Sequence, residues 1–502
     1  MDNRMKRAGI NAMSTVANQL VVTIIGIIVP WVMISNFGSI AYGATTSIAQ
    51  FLGYITLFEG GIGRVARGAL YKPLADGNNK EISRVYYAIK RFFAVLGIAF
   101  IGYTLILAFG YYEIADVSEY TREYIFALVI AIAIGKFAEY MGGITNITLL
   151  NADQRQYVVN AVVIFSSILN VALIVILANS GVDILWVKLV SSFVFVLKPI
   201  LFTIYVRKKY RLKKTKEKAI LKNKITGMAQ HVAYVVQNSI DVLILTVLSD
   251  LTYVAVYSVY NLIASSLRNI TMSFTGGMEA LFGNMIAKDE HETLINSYRR
   301  YKFLLTVLTV ALFGTAAAVI LPFVAMYTWK ATDADYLQPT FAIILLLSYA
   351  INCVILPCFN LPIAANQLKK SQWGAYTEAG INLVVSCVLV FWNPLIGVAV
   401  GTMVSSIFKS IYYIFYSGKN ILRISVLRML GEYFITVCIL TVISIVGMNI
   451  IDNLLIENYF QWTVCGFIMI VISGAVGLLL GAVLYPEQFK STARMIVKKI
   501  SK

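Results

Sequence analysis

Four basic residues lie deep inside long apolar runs of this sequence. They are Lys136, Lys198, Arg268 and Lys409. Each is about 14 to 16 residues from one end of its run, which is roughly 21 to 24 Å along a helix. A basic side chain at the centre of a membrane helix costs about 2.5 to 3.5 kcal/mol, so four at one depth indicate a shared function. Lysine and arginine bind phosphate oxygens, Arg268 through two parallel bonds, so the four predict a cationic cavity for a phosphate-bearing anion.

A second interpretation of these cations is purely structural. Long basic side chains reach from a helix to the nearest membrane interface, where the charge is hydrated. Glu139 follows Lys136 by three residues and can neutralise it on the same helix face. The sequence leaves both interpretations open.

Three acids, Asp241, Glu59 and Glu139, are candidates for ion coupling. Asp241 lies about 12 residues into an apolar run, where an ionisable group predicts function. It is either a proton or sodium site or the static partner of Arg268. Glu59 ends the second apolar run and precedes a glycine-rich segment that carries Arg64 and Arg67.

Arg64 and Arg67 are also open to two interpretations. They make first contact with the phosphates of a substrate, or they follow the bias of basic residues towards the inner side of a membrane. Glu59, in turn, pairs with these arginines or faces the cavity.

The elements that must position these residues are membrane helices. Of the 502 residues, 59% are hydrophobic and 13% are charged, against about 25% charged in soluble domains. Runs of about 20 apolar residues recur throughout, the length that spans a bilayer as a helix. We predict an all-α polytopic membrane protein with about fourteen transmembrane helices, near 11–35, 42–63, 90–112, 122–148, 158–179, 183–206, 229–250, 252–283, 303–327, 337–362, 374–392, 395–417, 430–451 and 460–484.

The net charge of +17 is explained by topology and does not call for a nucleic acid. Most lysines and arginines fall in alternate loops and in both tails, which predicts that both termini are cytoplasmic. Neither His231 nor His291 has a metal-ligand spacing, and the cysteines form no CxxC pair, so we predict no metal. The loops are too short for a catalytic domain, so we predict neither an enzyme nor a cofactor. Kinks are expected at Pro30, Pro199, Pro357 and Pro362.

An internal repeat divides the chain. FEGGIGRVARG after the second span is similar to FTGGMEALFG after the eighth, with Gly60-Gly61 matching Gly276-Gly277. Six spans separate the copies, so the two lobes form a parallel pseudo-repeat. The predicted parts are an N-terminal six-helix lobe, a basic cytoplasmic linker, a C-terminal six-helix lobe, and two extra helices with a basic tail: 1–206, 207–228, 229–417 and 418–502.

Three stretches carry a family resemblance: GATTSIAQFLGY at 43–54, EGG followed by RGALYKPLA at 59–75, and NADQRQY at 151–157. They resemble Wzx-type polysaccharide flippases of the multidrug/oligosaccharidyl-lipid/polysaccharide exporter superfamily. The resemblance covers essentially the whole chain. It implies alternating access through a cationic cavity in a bacterial cytoplasmic membrane. The cargo would be an undecaprenyl-pyrophosphate-linked oligosaccharide, a capsule, exopolysaccharide or O-antigen unit, moved from the inner to the outer leaflet.

With such a cargo, the basic residues singled out above become the candidate ligands of its pyrophosphate, and the resemblance implies the partners. Arg268, Lys409, Lys136, Lys198, Arg64 and Arg67 would bind the pyrophosphate. The partners would be the lipid-linked oligosaccharide, membrane lipids, a polysaccharide polymerase and glycosyltransferases. Two alternatives within the superfamily are a cation-coupled drug exporter and a flippase for the peptidoglycan precursor. The two extra helices argue against the drug exporter, which typically has twelve spans.

Overall fold

The computed structural model describes residues 2–59, 62–215, 239–275, 277–454 and 456–500. Every regular element in these ranges is helical, which confirms the predicted all-α class. The helices are α1 (Asp2–Gly53), α2 (Ile62–Ala75), α3 (Asn79–Ile114), α4 (Arg122–Ala138), α5 (Ile144–Ala152), α6 (Gln156–Asn179), α7 (Ile184–Lys209), α8 (Ser239–Leu248), α9 (Leu251–Ser273), α10 (Met278–Ala287), α11 (His291–Tyr327), α12 (Pro339–Val354), α13 (Leu356–Ala364), α14 (Leu368–Leu389), α15 (Pro394–Ser417), α16 (Val426–Asp452), α17 (Tyr459–Leu484) and α18 (Pro486–Ile500).

Most predicted spans coincide with helix where their residues are described. The eighth, 252–283, was predicted as one span but is interrupted, since α9 ends at Ser273 and α10 begins at Met278. Nine of the described helices are long and apolar enough to cross a membrane, and α12 with α13 makes a tenth if this bent pair is one span. Helix α1 contains the first predicted span and the second as far as Gly53, and the second continues in a 3₁₀ segment, Tyr54–Glu59. Gly38, with φ 82° and ψ 175°, interrupts α1 between the two spans. A backbone angle of this kind favours glycine, which has no Cβ to clash. Most of the basic linker, from residue 216, lies outside the described residues.

Helix α3 shows why these elements belong in a membrane. One face is buried in the protein and carries Phe93, Phe100 and Leu107. The opposite face is just as apolar, and Ile98 and Ile106 are 67% and 73% exposed there. A surface helix of a soluble protein would be polar on that side, so the exposed face requires an apolar surrounding such as lipid.

Polar residues fix the ends of the helices. Asn78 accepts a hydrogen bond from the backbone of Glu81 and begins α3, and Asp183 begins α7 in the same way through Leu185. Asn393 caps α15 and is followed by Pro394, whose missing N–H is not needed in a first turn. These short polar connections separate the long apolar helices.

The chain forms two compact units, residues 1–255 and 256–502. In the first unit α1 packs on α6, and α4 packs on α3 and α7. In the second, α11 is the central helix and contacts α12, α16 and α17. The predicted boundaries of the lobes, linker and extra helices remain a prediction.

The order of elements repeats between the two halves of the chain. The 14-residue α2 precedes the 36-residue α3, and the 10-residue α10 precedes the 37-residue α11. These short helices follow the two copies of the glycine motif, of which Gly60, Gly61 and Gly276 lie outside the described residues. The repeat seen in sequence therefore recurs as a repeat of short and long helices.

The NADQRQY stretch forms a partly buried polar cluster in the first unit. Arg155 contacts Asp153 at 2.5 Å and donates a hydrogen bond to the Tyr205 hydroxyl at 3.1 Å. Tyr210, just beyond α7, donates to the same Asp153 carboxylate at 2.5 Å. Burial and this hydrogen bond raise the pKa of Tyr210 above its ordinary value, so the phenol remains a donor. The motif thus fixes the chain where it leaves α7, ahead of the basic segment.

Candidate anion-binding site

Two predicted cations of the second unit meet around one face of α12. Tyr349, Asn352 and Cys353 share this face, because residues three and four apart lie together on a helix. Arg268 of α9 lies over the Tyr349 ring at 5.2 Å, and Lys409 of α15 donates a hydrogen bond to Asn352 Oδ1 at 3.2 Å. Cys353 is fully buried on this face. We call these cations and this face the α12 cluster.

Lys409 also has a counter-ion that sequence reasoning missed. Its Nζ lies 3.1 Å from Glu378 Oε1 of α14, and the two side chains are 13% and 5% exposed. A carboxylate so deeply buried is stable only when paired. The signal was available in the sequence, since Glu378 is an acid inside the predicted span 374–392.

Two glycines bring this ion pair together. A Cβ at Gly397 would lie 2.5 Å from the backbone of Leu389, and one at Gly401 would overlap Ser386 Oγ. Small residues let membrane helices approach closely. Helices α14 and α15 are antiparallel, and Gly401 faces Ser386. Eight residues further along each helix, about two turns, the same register brings Lys409 opposite Glu378.

Gly401→Leu is expected to lower the free energy of unfolding by about 1 to 3 kcal/mol, because the added side chain overpacks α14 against α15. The measurement is thermal unfolding of the purified protein in detergent. Gly380→Leu on α14 is the matched control, since a Cβ there meets open space. Equal destabilisation by both substitutions would contradict the close-approach argument.

The first unit holds a second cluster at an irregular turn. Residues Glu139–Gly143 form a π-helical turn between α4 and α5, and such turns are frequent at functional sites. Lys136 Nζ lies 3.6 Å from Glu139 Oε2, with both side chains about one third exposed. Helix α7 packs on this turn and carries Lys198, whose ammonium lies 4.2 Å from the Phe195 ring centre.

The π turn also positions Tyr140 and the helix that follows. Tyr140 packs near Phe93 and Phe100, and its hydroxyl donates to Glu59 at 2.6 Å. Beyond the turn, Asn146 of α5 accepts from Tyr86 at 2.7 Å and donates to Thr203 at 3.0 Å. These bonds tie α5 to α3 and α7 inside the unit.

Three further predicted residues lie in α2 and α8. Arg67 donates to the carbonyl of Gly63 in its own helix at 3.3 Å. Arg64 lies in α2, and its side chain is outside the described part of the structure. Asp241 is 5% exposed in α8, and its predicted pairing with Arg268 remains a prediction. So does the single cavity predicted to be lined by all four cations.

Both clusters occur where a corresponding span is interrupted. The fourth span contains the π turn, and the tenth breaks between α12 and α13 with a bend of 41°. Pro357 lies in the first turn of α13, where the predicted kink occurs. In transporters, interrupted helices commonly form binding sites because the break frees backbone groups.

Comparison with known proteins identifies the fold. The structure entitled "Lipid II flippase MurJ, inward closed conformation" matches with a TM-score of 0.65 at 13% identity, covering 95% of this chain and 99% of its own. An inward-facing multidrug resistance MATE transporter of the MOP superfamily matches at 0.62 and 12% identity, covering 81% and 98%. A point mutant of the Vibrio cholerae MATE transporter VcmN matches at 0.54 and 11%, covering 84% and 99%.

No family model matches the sequence, and no curated protein does. The chain therefore has the polytopic membrane fold seen in MOP-superfamily transporters. Sequence identities of 11 to 13% show a shared fold and nothing about substrate.

Proposed function

We propose that this protein is a flippase for an undecaprenyl-pyrophosphate-linked oligosaccharide. It moves a capsule, exopolysaccharide or O-antigen unit from the inner to the outer leaflet of a bacterial cytoplasmic membrane, with both termini cytoplasmic. The cargo has three chemically distinct parts: a long apolar chain, a pyrophosphate and a polar sugar. A transporter for it needs a matching environment for each part, and a lipid chain separates this cargo from the soluble substrate of a drug exporter.

The observation that carries the proposal is an apolar groove on the second unit. Its volume is about 840 Å³, and it lies between α10, α11, α17 and α18. Apolar side chains of all four helices line it, among them Met278, Leu304, Leu308, Leu478 and Phe489. Leu304 is 50% exposed, so the groove opens to the outside of the helix bundle, where lipid chains would lie.

One end of the groove is polar. Arg300 and Ser297 of α11 line it there, together with Thr492 of α18, and Arg300 donates to Ser491 at 3.3 Å. An apolar channel with a basic end suits a lipid whose head group is anionic. We assign the groove to the polyprenyl chain and the α12 cluster to the pyrophosphate.

The comparisons are compatible with a flippase and with a drug exporter, and we favour the flippase because of the helices beyond the predicted twelve-span core. The flippase structure covers 95% of this chain and the exporter structures cover 81% and 84%. Helices α17 and α18, which follow the predicted twelve-span core, form one wall of the groove. A polysaccharide polymerase and glycosyltransferases are the proposed protein partners, because they would consume and supply the lipid-linked unit.

The mechanism uses the protein's own charges and its hinges. The pyrophosphate binds the cations in the inward-facing state, the sugar follows into the aqueous space, and the chain stays in the groove. The breaks at the π turn and between α12 and α13 are the proposed points where the cluster residues change their orientation during transport. Asp241, Glu59 and Glu139 remain the proposed ion-coupling residues.

Leu478→Trp is expected to lower the flipping rate about tenfold, an increase of about 1.4 kcal/mol in the barrier, because the indole fills the groove. The measurement uses the purified protein in vesicles that contain a fluorescent undecaprenyl-pyrophosphate oligosaccharide, whose outward movement is followed by reduction of the exposed label. Leu479→Trp is the matched control, since Leu479 is the next residue of α17, is 68% exposed and does not line the groove.

Three outcomes contradict the proposal or its parts. Equal rates for the Leu478 and Leu479 variants would remove the groove from the mechanism. Transport of lipid II in place of the oligosaccharide lipid would favour the peptidoglycan-precursor alternative. Cation-driven uptake of soluble drugs, without any lipid movement, would favour the exporter.

A further inference from the structure

The described part of the basic linker, residues 207–215, carries a run of cations that the transport mechanism does not use. The exposed ones are Arg207, Lys208, Lys209, Arg211, Lys213 and Lys214, and we call these six residues the basic strip. We propose that the basic strip is a binding surface for the head groups of anionic phospholipids in the surrounding membrane. This inference does not depend on the substrate proposed above.

The strip begins where helix α7 leaves the apolar part of the membrane. Arg207 lies about 23 residues after Ile184, the first residue of α7, which is roughly 35 Å along the helix axis. The hydrocarbon core of a bilayer is about 30 Å thick. The last turn of α7, with Arg207, Lys208 and Lys209, therefore lies at the level of the lipid head groups.

Beyond α7 the strip continues as an extended segment that is attached to the first unit at two points. Tyr210 has φ −116° and ψ 133°, and its hydroxyl donates to Asp153, the cap of α5, at 2.5 Å. The backbone N–H of Lys213 donates to Ser83 Oγ, near the start of α3, at 3.1 Å. The segment therefore runs across the ends of two other helices on a defined course.

The side chains of this segment alternate, as they do in any extended chain. Tyr210 and Leu212 are half-buried, whereas Arg211 and Lys213 are exposed. The aromatic and apolar side chains thus hold the segment against the unit, and the basic side chains are left accessible. The attachment fixes the cations without using their charge.

The charge of the strip has no acidic partner among the residues that the structure describes. The ion pairs near its attachment points join Asp153 to Arg155 and Glu81 to Arg84. The head group of an anionic phospholipid supplies the missing counter-charge, and each basic residue near such a membrane surface strengthens binding about fivefold. Because the segment is held in place before the lipid binds, it loses less conformational entropy than a flexible basic tail would.

The test is a titration of the purified full-length protein in detergent with two short-chain lipids. Phosphatidylglycerol is anionic, phosphatidylcholine has no net charge, and bound lipid is counted by native mass spectrometry. The wild type is expected to bind phosphatidylglycerol more tightly. The triple variant Arg211→Gln, Lys213→Gln and Lys214→Gln is expected to bind phosphatidylglycerol about tenfold more weakly and phosphatidylcholine as the wild type does.

The matched control removes three exposed cations from the second unit. Lys369→Gln and Lys370→Gln change the first turn of α14, and Lys419→Gln changes the turn after α15. This variant is expected to bind phosphatidylglycerol within about twofold of the wild type. An equal loss in both triple variants would show that total charge attracts the lipid, which would overturn the inference. Equal affinity of the wild type for the two lipids would also overturn it and would favour an acidic protein as the occupant.

A second variant tests the attachment of the strip. Tyr210→Phe keeps every charge and removes the hydroxyl that donates to Asp153, so it is expected to weaken phosphatidylglycerol binding about threefold. Tyr71→Phe is its control, since Tyr71 is 57% exposed and its hydroxyl makes no hydrogen bond within the described ranges. Wild-type binding by Tyr210→Phe would contradict a fixed binding surface.

Discussion

Arg268→Ala and Lys409→Ala are each expected to lower the flipping rate by about tenfold to a hundredfold, with the protein still present in the membrane at wild-type amounts. A hydrogen bond to a charged group contributes about 1.5 to 3 kcal/mol, which corresponds to that range of rates. The Lys409 variant loses more than a contact to substrate, because it leaves Glu378 buried without its lysine. The measurement is the vesicle assay, with membrane content checked by immunoblot.

The control variants separate charge from geometry. Arg268→Lys is expected to restore only part of the rate, since lysine keeps the charge and loses the planar group that lies over Tyr349 and binds phosphate bidentately. Lys188→Ala should change the rate least, since Lys188 lies about one turn inside the start of α7, about 15 Å along the helix from Lys198. If the alanine variants of Lys136, Lys198, Arg268 and Lys409 all transport at the wild-type rate, the cations only anchor their helices.

Lys302→Ala is expected to lower the free energy of unfolding by about 3 to 5 kcal/mol. The substitution leaves Glu432 without its closest cation in the packed region between α11 and α16. The expected result is a lower melting temperature of the detergent-solubilised protein and earlier proteolysis of α16 to α18. Lys330→Ala, a change at an exposed lysine in the loop after α11, is expected to leave the melting temperature unchanged.

A double substitution tests the cause of that loss. Lys302→Met combined with Glu432→Leu removes both charges and keeps the volume, so it is expected to recover most of the stability. A double variant as unstable as Lys302→Ala would show that packing, and not the unpaired carboxylate, determines the effect.

The sequence predicted what depends on neighbours along the chain. Apolar length defined the helices, and spacing placed Glu139 on the same face as Lys136, where the ion pair is seen. Counting depth along each span also singled out Arg268 and Lys409, which each contact α12. The depth of a residue in the membrane depends only on its distance along the helix axis, so it can be estimated by counting residues from the end of the span.

What the sequence did not predict depends on residues that are distant along the chain. Tyr140, which holds Glu59, is 81 residues from it. Glu378 pairs with Lys409 only because two glycines determine how closely α14 and α15 pack. The groove is formed by side chains of four helices, and the sequence of any one of these helices gives no sign of it. The π turn has no local signature, since its hydrogen-bond register follows from the contacts on either side.

That turn has a consequence for changes in chain length. The N–H of Ile144 bonds to the carbonyl of Glu139, five residues back, so the turn holds one residue more than an α-helical turn would. The extra residue lets Lys136 and Glu139 pair before the turn while Asn146 meets Tyr86 and Thr203 after it. Losing a single codon here would rotate the rest of the span by about 100° and break every contact of α5 together. Gene variants with in-frame deletions should therefore be rarer between 139 and 143 than substitutions at the same positions.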